Sequence, residues 1–517
     1  MTMTTLLSLP PELLANIFHH LDDASFHAGR LANRTLEQAS FTLFGKRFFR
    51  KKGYMITTPS LEVLQSVASH EKLRLYVQHV WFNPDCYTYG LIPTVVPIGI
   101  GRDRGRVSIM DAEPPYSEEV AKARAEHIRS QAKIDNHVLL SGDGRLSGLL
   151  RSAFATLPNL KTVGMRRSEQ HNPWGWSRLR DAVGKDPREL GVASNYPTNG
   201  YGAIPGPTIL YLALIHALGV SGSQIQRFYT DAVQIDAISA QMLPLTVMQE
   251  ACGALLYLEI NVAEKERMTD VFLNRREDDP DFGMTESQGA GLARLLSACP
   301  NLRELGLMIF PNRHSQEEGW SQQGYNLLLT HVTETVQLRN LRRLKLEKLV
   351  ALPSTLISFL QPSAPHLTSI KLRDIRLLEE EGDVDNNEPW KPVFAFLSTS
   401  CPNLSYLLLY HLCQASGGIR FVQTLPPPPR QPSDAIWDTM DSADNFTDYE
   451  NIAVEVGVPH SDPDAEGAER RAAIFRARET VGARLRALVD GHWYGRDLFS
   501  YEMDELLWYT DTSDEEW

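Results

Sequence analysis

Cysteine is scarce in this 517-residue sequence, and long apolar runs are missing. The five cysteines are odd in number and lie far apart, which argues against a disulfide-stabilised secreted domain. No run approaches the roughly 20 apolar residues of a membrane helix. The N-terminus MTMTTLLSLPPELL has neither a basic leader nor a small-residue cleavage pattern. We therefore expect a protein of the cytoplasm, the nucleus or both.

Recognisable catalytic and metal-binding motifs are also missing. The sequence contains no Walker loop, no H-E-x-x-H and no G-x-S-x-G. The glycines of GIGRDRG, beginning at Gly99, lack the spacing of a dinucleotide-binding loop. Cys401, His411 and Cys413 form no C-x-x-C pair, and Cys401 is better interpreted as a packing thiol. We predict a non-enzymatic protein without metal or cofactor. An enzyme with its site in the loops around Trp174 or Gly99 is the alternative.

Basic residues are depleted at one end of the chain only. The net charge is −13, but residues 431–517 hold 21 acidic residues, seven arginines and no lysine, and so carry −14. The remainder is balanced, with 44 basic and 43 acidic residues, and this gives no sign of nucleic-acid binding. We interpret the tail as solubilising. Mimicry of nucleic acid and contact with a basic partner are alternatives. A further alternative is that the tail docks onto the concave face of the solenoid as a lid through its last apolar residues, Leu506, Leu507, Trp508 and Trp517.

A short apolar phrase, L-x-x-L-x-L, recurs along most of the chain. Its seven copies are Val77-Val80-Phe82, Leu160-Val163-Met165, Leu255-Leu258-Ile260, Leu302-Leu305-Leu307, Leu341-Leu344-Leu346, Leu367-Ile370-Leu372 and Leu404-Leu407-Leu409. In four copies a proline (Pro158, Pro300, Pro365 or Pro402) stands two residues before the first anchor, where it ends a helix and starts an extended segment. This phrase resembles the strand half of a leucine-rich repeat. It predicts an irregular α/β solenoid whose stacked helix–turn–strand units bury a common core, with insertions or a missed repeat in the two widest gaps.

The segment from Ser8 to Phe49 predicts three short helices. Two prolines suit the first turn of a helix, and the apolar residues that follow, from Leu13 to Leu21, share one wide face. Asp22 and its neighbours interrupt this pattern and predict the cap of a second helix, from Phe26 to about Asn33. A third helix is predicted from Thr35 to Phe49, with basic residues from Arg47 to Lys52 closing it.

This N-terminal segment resembles an F-box of the filamentous-fungal type. LPPELLANIFHHLDD agrees with the opening of that module, and RLANRTLEQASFTLFGKRFF resembles its second half. One departure is that Asn33-Arg34-Thr35-Leu36 stands where many F-boxes carry a Cys-Lys-x-Trp-like phrase. The resemblance implies a substrate-recognition subunit of a Skp–cullin–F-box ubiquitin ligase. Such a subunit supplies proximity while a recruited enzyme supplies the chemistry, which fits the lack of catalytic motifs.

The resemblance also implies the partners and the residues that bind them. Leu9 and Pro10 would fill a groove of the Skp-family adaptor, which connects the chain to the cullin and RING subunits. The helix face would divide between adaptor contact and the core of the module, and comprises Leu13, Leu14, Ile17, Phe18 and Leu21. The solenoid would bind a protein substrate. Two alternatives remain: the helices merely cap the solenoid, or the chain is a repeat scaffold unconnected with ubiquitination.

The predicted organisation has three parts. Residues 5–52 form the F-box, and residues 60–424 form the leucine-rich-repeat-like substrate-binding domain with loop insertions. Residues 425–517 comprise a proline-rich linker and an acidic tail. Within this tail, residues 431–465 are predicted to be disordered, and a stripe of apolar residues predicts a helix over 468–489.

Overall fold

The chain divides into two compact units, Met1–Phe228 and Tyr229–Trp517, which are treated separately below. A computed structural model describes residues 6–84, 95–98, 105–108, 122, 144–166, 172–183, 206–230, 233–234, 243–263, 286–310, 322–378, 388–414, 417–421, 453–457, 468–489 and 493–496. Both units combine α-helices with parallel strands, so the fold class is α/β.

Three helices begin the first unit: α1 (Pro11–His19), α2 (Asp23–Ala32) and α3 (Arg34–Phe49). Helix α2 starts three residues before the predicted Phe26, because the Asp22 carboxylate accepts a hydrogen bond from the Ser25 amide at 2.7 Å and caps the helix there. The same hydrogen bonds from Ser25 lower the pKa of Asp22. Asn33 caps α3 in the same way, accepting from the Thr35 amide at 2.8 Å.

The remainder of the first unit is a set of short strands and helices. In chain order its elements are β1 (Lys51–Met55), α4 (Thr58–Ser69), β2 (His79–Asn83), β3 (Val95–Ile98), β4 (Gly105–Ser108), α5 (Arg145–Ala155), β5 (Thr162–Met165), α6 (Trp176–Val183) and α7 (Gly206–Ser221), with β6 (Arg227–Tyr229) at the boundary. Strands β1, β2 and β5 pair in parallel in that order, whereas β3 and β4 pair antiparallel.

The third helix ends at Phe49, as predicted, and strand β1 follows it. Lys51 and Lys52, interpreted in the sequence as basic residues that close the helix, lie in β1 and pair with His79 and Val80 of β2. Gly53 lies directly against the indole of Trp81, and a Cβ at this position would overlap the ring. The glycine is therefore required by close approach of the two strands.

The second unit repeats a helix–strand pattern more regularly. Its elements are β7 (Val233–Gln234), α8 (Leu245–Cys252), β8 (Tyr257–Ala263), α9 (Glu286–Ser297), β9 (Glu304–Phe310), α10 (Gln322–Thr335), β10 (Arg343–Ala351), α11 (Pro353–Leu360), β11 (Ser369–Leu377), α12 (Trp390–Ser400), β12 (Tyr406–Tyr410), β13 (Cys413–Gln414), β14 (Gly417–Phe421), β15 (Ala453–Gly457), α13 (Ala468–Val489) and β16 (Trp493–Arg496). Strands β8 to β12 pair in parallel, each with the next in the chain.

The recurring apolar phrase coincides with these parallel strands. All seven copies lie at a strand, and none of their anchor side chains is more than 5% exposed. The phrase was missed once, at Ile225-x-x-Phe228-x-Thr230, where Ile225 and Phe228 are buried but a threonine takes the third place. The Gln226 amide there donates to the Lys161 carbonyl at 2.8 Å. This strand explains part of the wide gap between the second and third predicted copies.

An asparagine ladder holds successive repeats in register. The side-chain amide before the first anchor donates to a carbonyl of the preceding repeat: Asn159 to Leu75 (2.7 Å), Asn301 to Gly253 (2.9 Å), Asn340 to Pro300 (3.5 Å) and Asn403 to Pro365 (2.7 Å). Each bond satisfies a backbone acceptor at a turn, where no neighbouring strand can do so. The asparagine in the phrase P-N-L is therefore a structural part of the repeat.

Parts of the acidic tail belong to the fold of the second unit. Strand β15 pairs antiparallel with β12, so the expectation of disorder over 431–465 is wrong for Ala453–Gly457. Helix α13 covers the residues for which a helix was predicted and packs on α12 and β12 through Val481, Leu485 and Leu488, each 1% exposed. The apolar residues of the alternative docking prediction, Leu506–Leu507–Trp508 and Trp517, lie outside the described residues.

The folded first unit should lose stability as pH falls below neutrality. Burial of His79 in β2, together with the charges of Lys51, Arg227 and Arg166, lowers its pKa to about 3. The unfolded chain binds a proton at His79 below about pH 6.5, whereas the folded chain does not. The free energy of unfolding therefore falls by up to about 1 kcal/mol for each pH unit below that value, and this figure allows for partial screening of the ring by solvent. We expect the thermal midpoint of His79→Gln to fall less than that of the wild type between pH 7.5 and 5.5. Equal falls would contradict this.

Candidate functional site

The first helix carries two apolar faces. Leu14 and Phe18 point into the helical core beside Phe26, and are 1% and 3% exposed. Leu13 and Ile17, one residue earlier in each case, are 50% and 39% exposed. Because successive helical residues differ by about 100° in direction, and residues four apart are neighbours, Leu13 and Ile17 form one exposed apolar pair.

The residues predicted to bind an adaptor are therefore divided between core and surface. Leu14 and Phe18 lie in the core, Leu9 and Leu21 pack partly buried against it, and Pro10, Leu13 and Ile17 are exposed. Sequence reasoning overlooked three further exposed apolar side chains, Leu6, Leu7 and Leu31, of which Leu31 is 88% exposed. The adjacent Leu6 and Leu7 lie directly before the motif and were the available signal.

Charged contacts hold α2 and α3 against each other. Arg47 of α3 forms an ion pair with Asp23 at 2.6 Å and donates to the Leu21 carbonyl at 2.8 Å. Arg30 of α2 lies over the ring of Phe44, 3.9 Å from its centroid. These contacts hold α2 against α3. Helix α1 packs on both through Leu14 and Phe18, and this packing fixes the side on which Leu13 and Ile17 are exposed.

The second unit offers a different kind of surface, on the polar face of strands β8 to β12. Side chains facing away from the buried anchors are mostly charged or aromatic. Neighbouring strands are joined there by Arg343–Glu304 at 3.3 Å, while Lys345–Glu347, also at 3.3 Å, lies within β10. Gly306 stands at the centre of this face against the Glu259 side chain. The cleft that Gly306 leaves between Tyr257 and Lys345 has a volume of about 10 Å³, which is too small for a small-molecule ligand. The face is therefore suited to an extended macromolecular partner.

A row of left-handed residues ends this polar face. Lys348, Asp374 and His411 have φ of 54°, 53° and 50°, and the β10–β11 ladder skips the first two. Asp374 and His411 are bonded through Oδ1 and Nδ1 at 2.7 Å. Burial lowers the pKa of Lys348, and the Asp374 carboxylate opposes that shift. The left-handed turn also returns the next residue of each strand to the core, as the burial of Leu349 shows.

The cysteine and histidine candidates of the sequence analysis lie among buried or hydrogen-bonded groups. Cys401 is 5% exposed, as expected for a packing thiol, and burial raises the pKa of both Cys401 and Cys413 to about 12. The His411 ring bonds Asp374, and the Cys413 thiol donates to the His411 backbone carbonyl at 4.0 Å. Among the residues that the structure describes, no group of three or more His, Cys, Asp or Glu side chains is placed to hold a metal. None of the described helices has the length and apolar character needed to cross a bilayer.

The two loop tryptophans of the enzyme alternative differ in their exposure to solvent. Trp176 is 2% exposed, whereas Trp174 is 48% exposed and extends the edge of β1. Its amide donates to Gly53 and its carbonyl accepts from Met55, both at 2.9 Å. Gly99 lies outside the residues described.

No protein-family model and no curated protein matches this sequence. Among solved structures, a leucine-rich repeat-containing protein from Legionella pneumophila is similar over 76% of this chain and 98% of its own, at 14% identity and a TM-score of 0.23. A likeness at this TM-score carries no argument about fold or function.

Proposed function

We propose that this chain is the substrate-recognition subunit of a Skp–cullin–F-box ubiquitin ligase. In this proposal the three N-terminal helices are an F-box that binds a Skp-family adaptor. The helix–strand units are an irregular leucine-rich-repeat-like solenoid that binds a protein substrate. The exposed pair Leu13 and Ile17 carries the proposal, because an amphipathic helix with a second apolar face is suited to an apolar groove on a partner.

The proposal gives different roles to the exposed and the buried residues of the motif. The exposed Leu13, Ile17 and Pro10 would contact the adaptor, while the buried Leu14 and Phe18 maintain the helical core. Leu9, partly buried against that core, connects the two sets. The chain itself supplies no reacting group in this proposal, since its contribution is to bring substrate and ubiquitin-loaded enzyme together.

The test is direct binding of the full chain to a purified Skp-family adaptor. Exchanging Leu13 and Ile17 for serine should weaken binding at least about tenfold without a change in thermal midpoint, because interface anchors of this kind carry much of the binding energy. Leu31→Ser is the matched control, an equally polar exchange at an exposed leucine of α2.

The outcome separates the proposal from its two alternatives. Failure of the wild type to bind any adaptor would assign the helices to a terminal cap of the solenoid. Adaptor binding without any accumulation of a bound substrate on proteasome inhibition would favour a scaffold unconnected with ubiquitination.

A further inference from the structure

Six cations line the polar face of β10 and β11, and we call them the basic strip. They are Arg343, Lys345, Lys348, Lys371, Arg373 and Arg376. Five of them alternate with buried apolar residues such as Leu344 and Ile370 and so share the opposite face, and Lys348 follows Glu347 at the left-handed position. Glu347 and Asp374 lie among them on these strands, and Glu304 of β9 pairs with Arg343, so six cations face three carboxylates. The strip is thus locally cationic within a chain whose net charge is −13.

Aromatic rings of the neighbouring strand β12 hold two of these cations in place. The Lys371 Nζ atom lies 5.7 Å from the centroid of Tyr406, and the Arg373 Cζ atom lies 5.1 Å from that of Tyr410. Arg373 also contacts Asp374 at 3.5 Å and remains one-third exposed. The contact with a ring restricts the positions that each cation can take, and a charged group ordered in this way is suited to bind an anion.

The spacing of the cations fits an extended peptide. Residues two apart on a strand project on the same side about 7 Å apart, as Lys371 and Arg373 do, and alternate residues of an extended ligand repeat at that same distance. We propose that the basic strip binds an extended segment of a partner protein that carries Asp or Glu at alternate positions. A long nucleic acid fits less well, because outside the strip the chain has no excess of basic residues along which a longer polyanion could continue.

This inference rests on the proposed function only where it identifies the acidic segment as part of a ligase substrate. The binding of that segment to the strip does not require the adaptor. The probe is a fluorescein-labelled (Asp-Ala)5 peptide, titrated with the full chain at 50 mM salt and followed by fluorescence anisotropy. Its isosteric control is (Asn-Ala)5. We expect saturable binding of the aspartate peptide, at least about tenfold weaker binding of the asparagine peptide, and loss of affinity at higher salt.

Variants then locate the site on the strip. Lys371→Gln with Arg373→Gln removes two charges, keeps the side-chain stems over the tyrosines, and should weaken binding at least about tenfold. Arg339→Gln with Lys391→Gln, an equal charge change at exposed residues off the sheet, should leave it unchanged. A thermal midpoint equal to that of the wild type confirms folding of each variant.

Three results would overturn the inference: no binding of (Asp-Ala)5, equal binding of (Asn-Ala)5, or equal loss in both double variants. A labelled dT10 oligonucleotide that binds more tightly than the peptide would also overturn it, in favour of nucleic acid. The Leu13→Ser/Ile17→Ser chain should bind the peptide normally. Failure of adaptor binding and failure of peptide binding are therefore distinguishable.

Discussion

Removal of residues 431–517 should lower the thermal midpoint of the chain by more than about 10 °C and increase its sensitivity to protease. This truncation deletes α13, whose Val481, Leu485 and Leu488 are each 1% exposed. Burial of each such side chain contributes about 2 kcal/mol. It also deletes β15 and leaves the β12 edge, from Tyr406 to Tyr410, without its partner strand. An uncovered strand edge favours aggregation, so the truncated chain should also be recovered in lower yield.

A single substitution tests the same contact without shortening the chain. Leu485→Ala should cost about 2–5 kcal/mol of unfolding free energy, because it leaves a cavity between α13 and the elements it covers. The neighbouring Arg486 is exposed, and Arg486→Ala should stay within about 0.5 kcal/mol of the wild type. A truncated chain that melts and is digested like the wild type would show that the tail is only a solubilising appendage.

The repeats could be read from the sequence because their signal is redundant. In a parallel sheet covered by helices, the same strand positions face the core in every helix–strand repeat. Leu305, Leu344 and Ile370 therefore recur at equivalent positions of their strands. The preceding proline and asparagine mark the turn before each strand, as at Pro300 and Asn301. Where one anchor is polar, as at Thr230, this redundancy fails and the strand is missed.

Other elements are decided by tertiary contacts that leave little trace in the sequence. Strand β1 reads KKGYM, which resembles a basic helix end followed by a glycine, and it becomes a strand only because β2 pairs with it. Strand β15 lies in an acidic segment of low apolar content, and its pairing with β12 supplies what its own composition lacks. Local propensity is a weak guide wherever such pairing outweighs it.

The candidate surfaces were only partly predictable for the same reason. The pattern of α1 indicates a wide apolar face, but separating the buried Leu14 from the exposed Leu13 requires the position of α2 and α3. The basic strip is still less visible, because Lys345 and Lys371 are 26 positions apart in a body of balanced charge. Strand register brings them side by side.

Phe26→Ala should unfold the helical bundle and abolish adaptor binding together. Phe26 is fully buried, and its ring meets Phe18 edge-on at 5.2 Å and Phe48 at 5.5 Å, with the Arg47 guanidinium 5.5 Å away. Truncation of a phenylalanine in such a site costs about 3–5 kcal/mol, which is comparable to the whole stability of a small bundle. The measurement is loss of amide-exchange protection in α1, α2 and α3.

A comparison of variants then separates folding from recognition. Phe26→Ala should lose both amide protection and adaptor binding, whereas Leu13→Ser/Ile17→Ser should lose binding alone, because Leu13 and Ile17 are exposed and support no core contact. Leu31→Ala should change neither. If Phe26→Ala instead kept its protected amides, the aromatic cluster would not be the core of the bundle. The division of α1 into an inner and an outer face would then lose its physical basis.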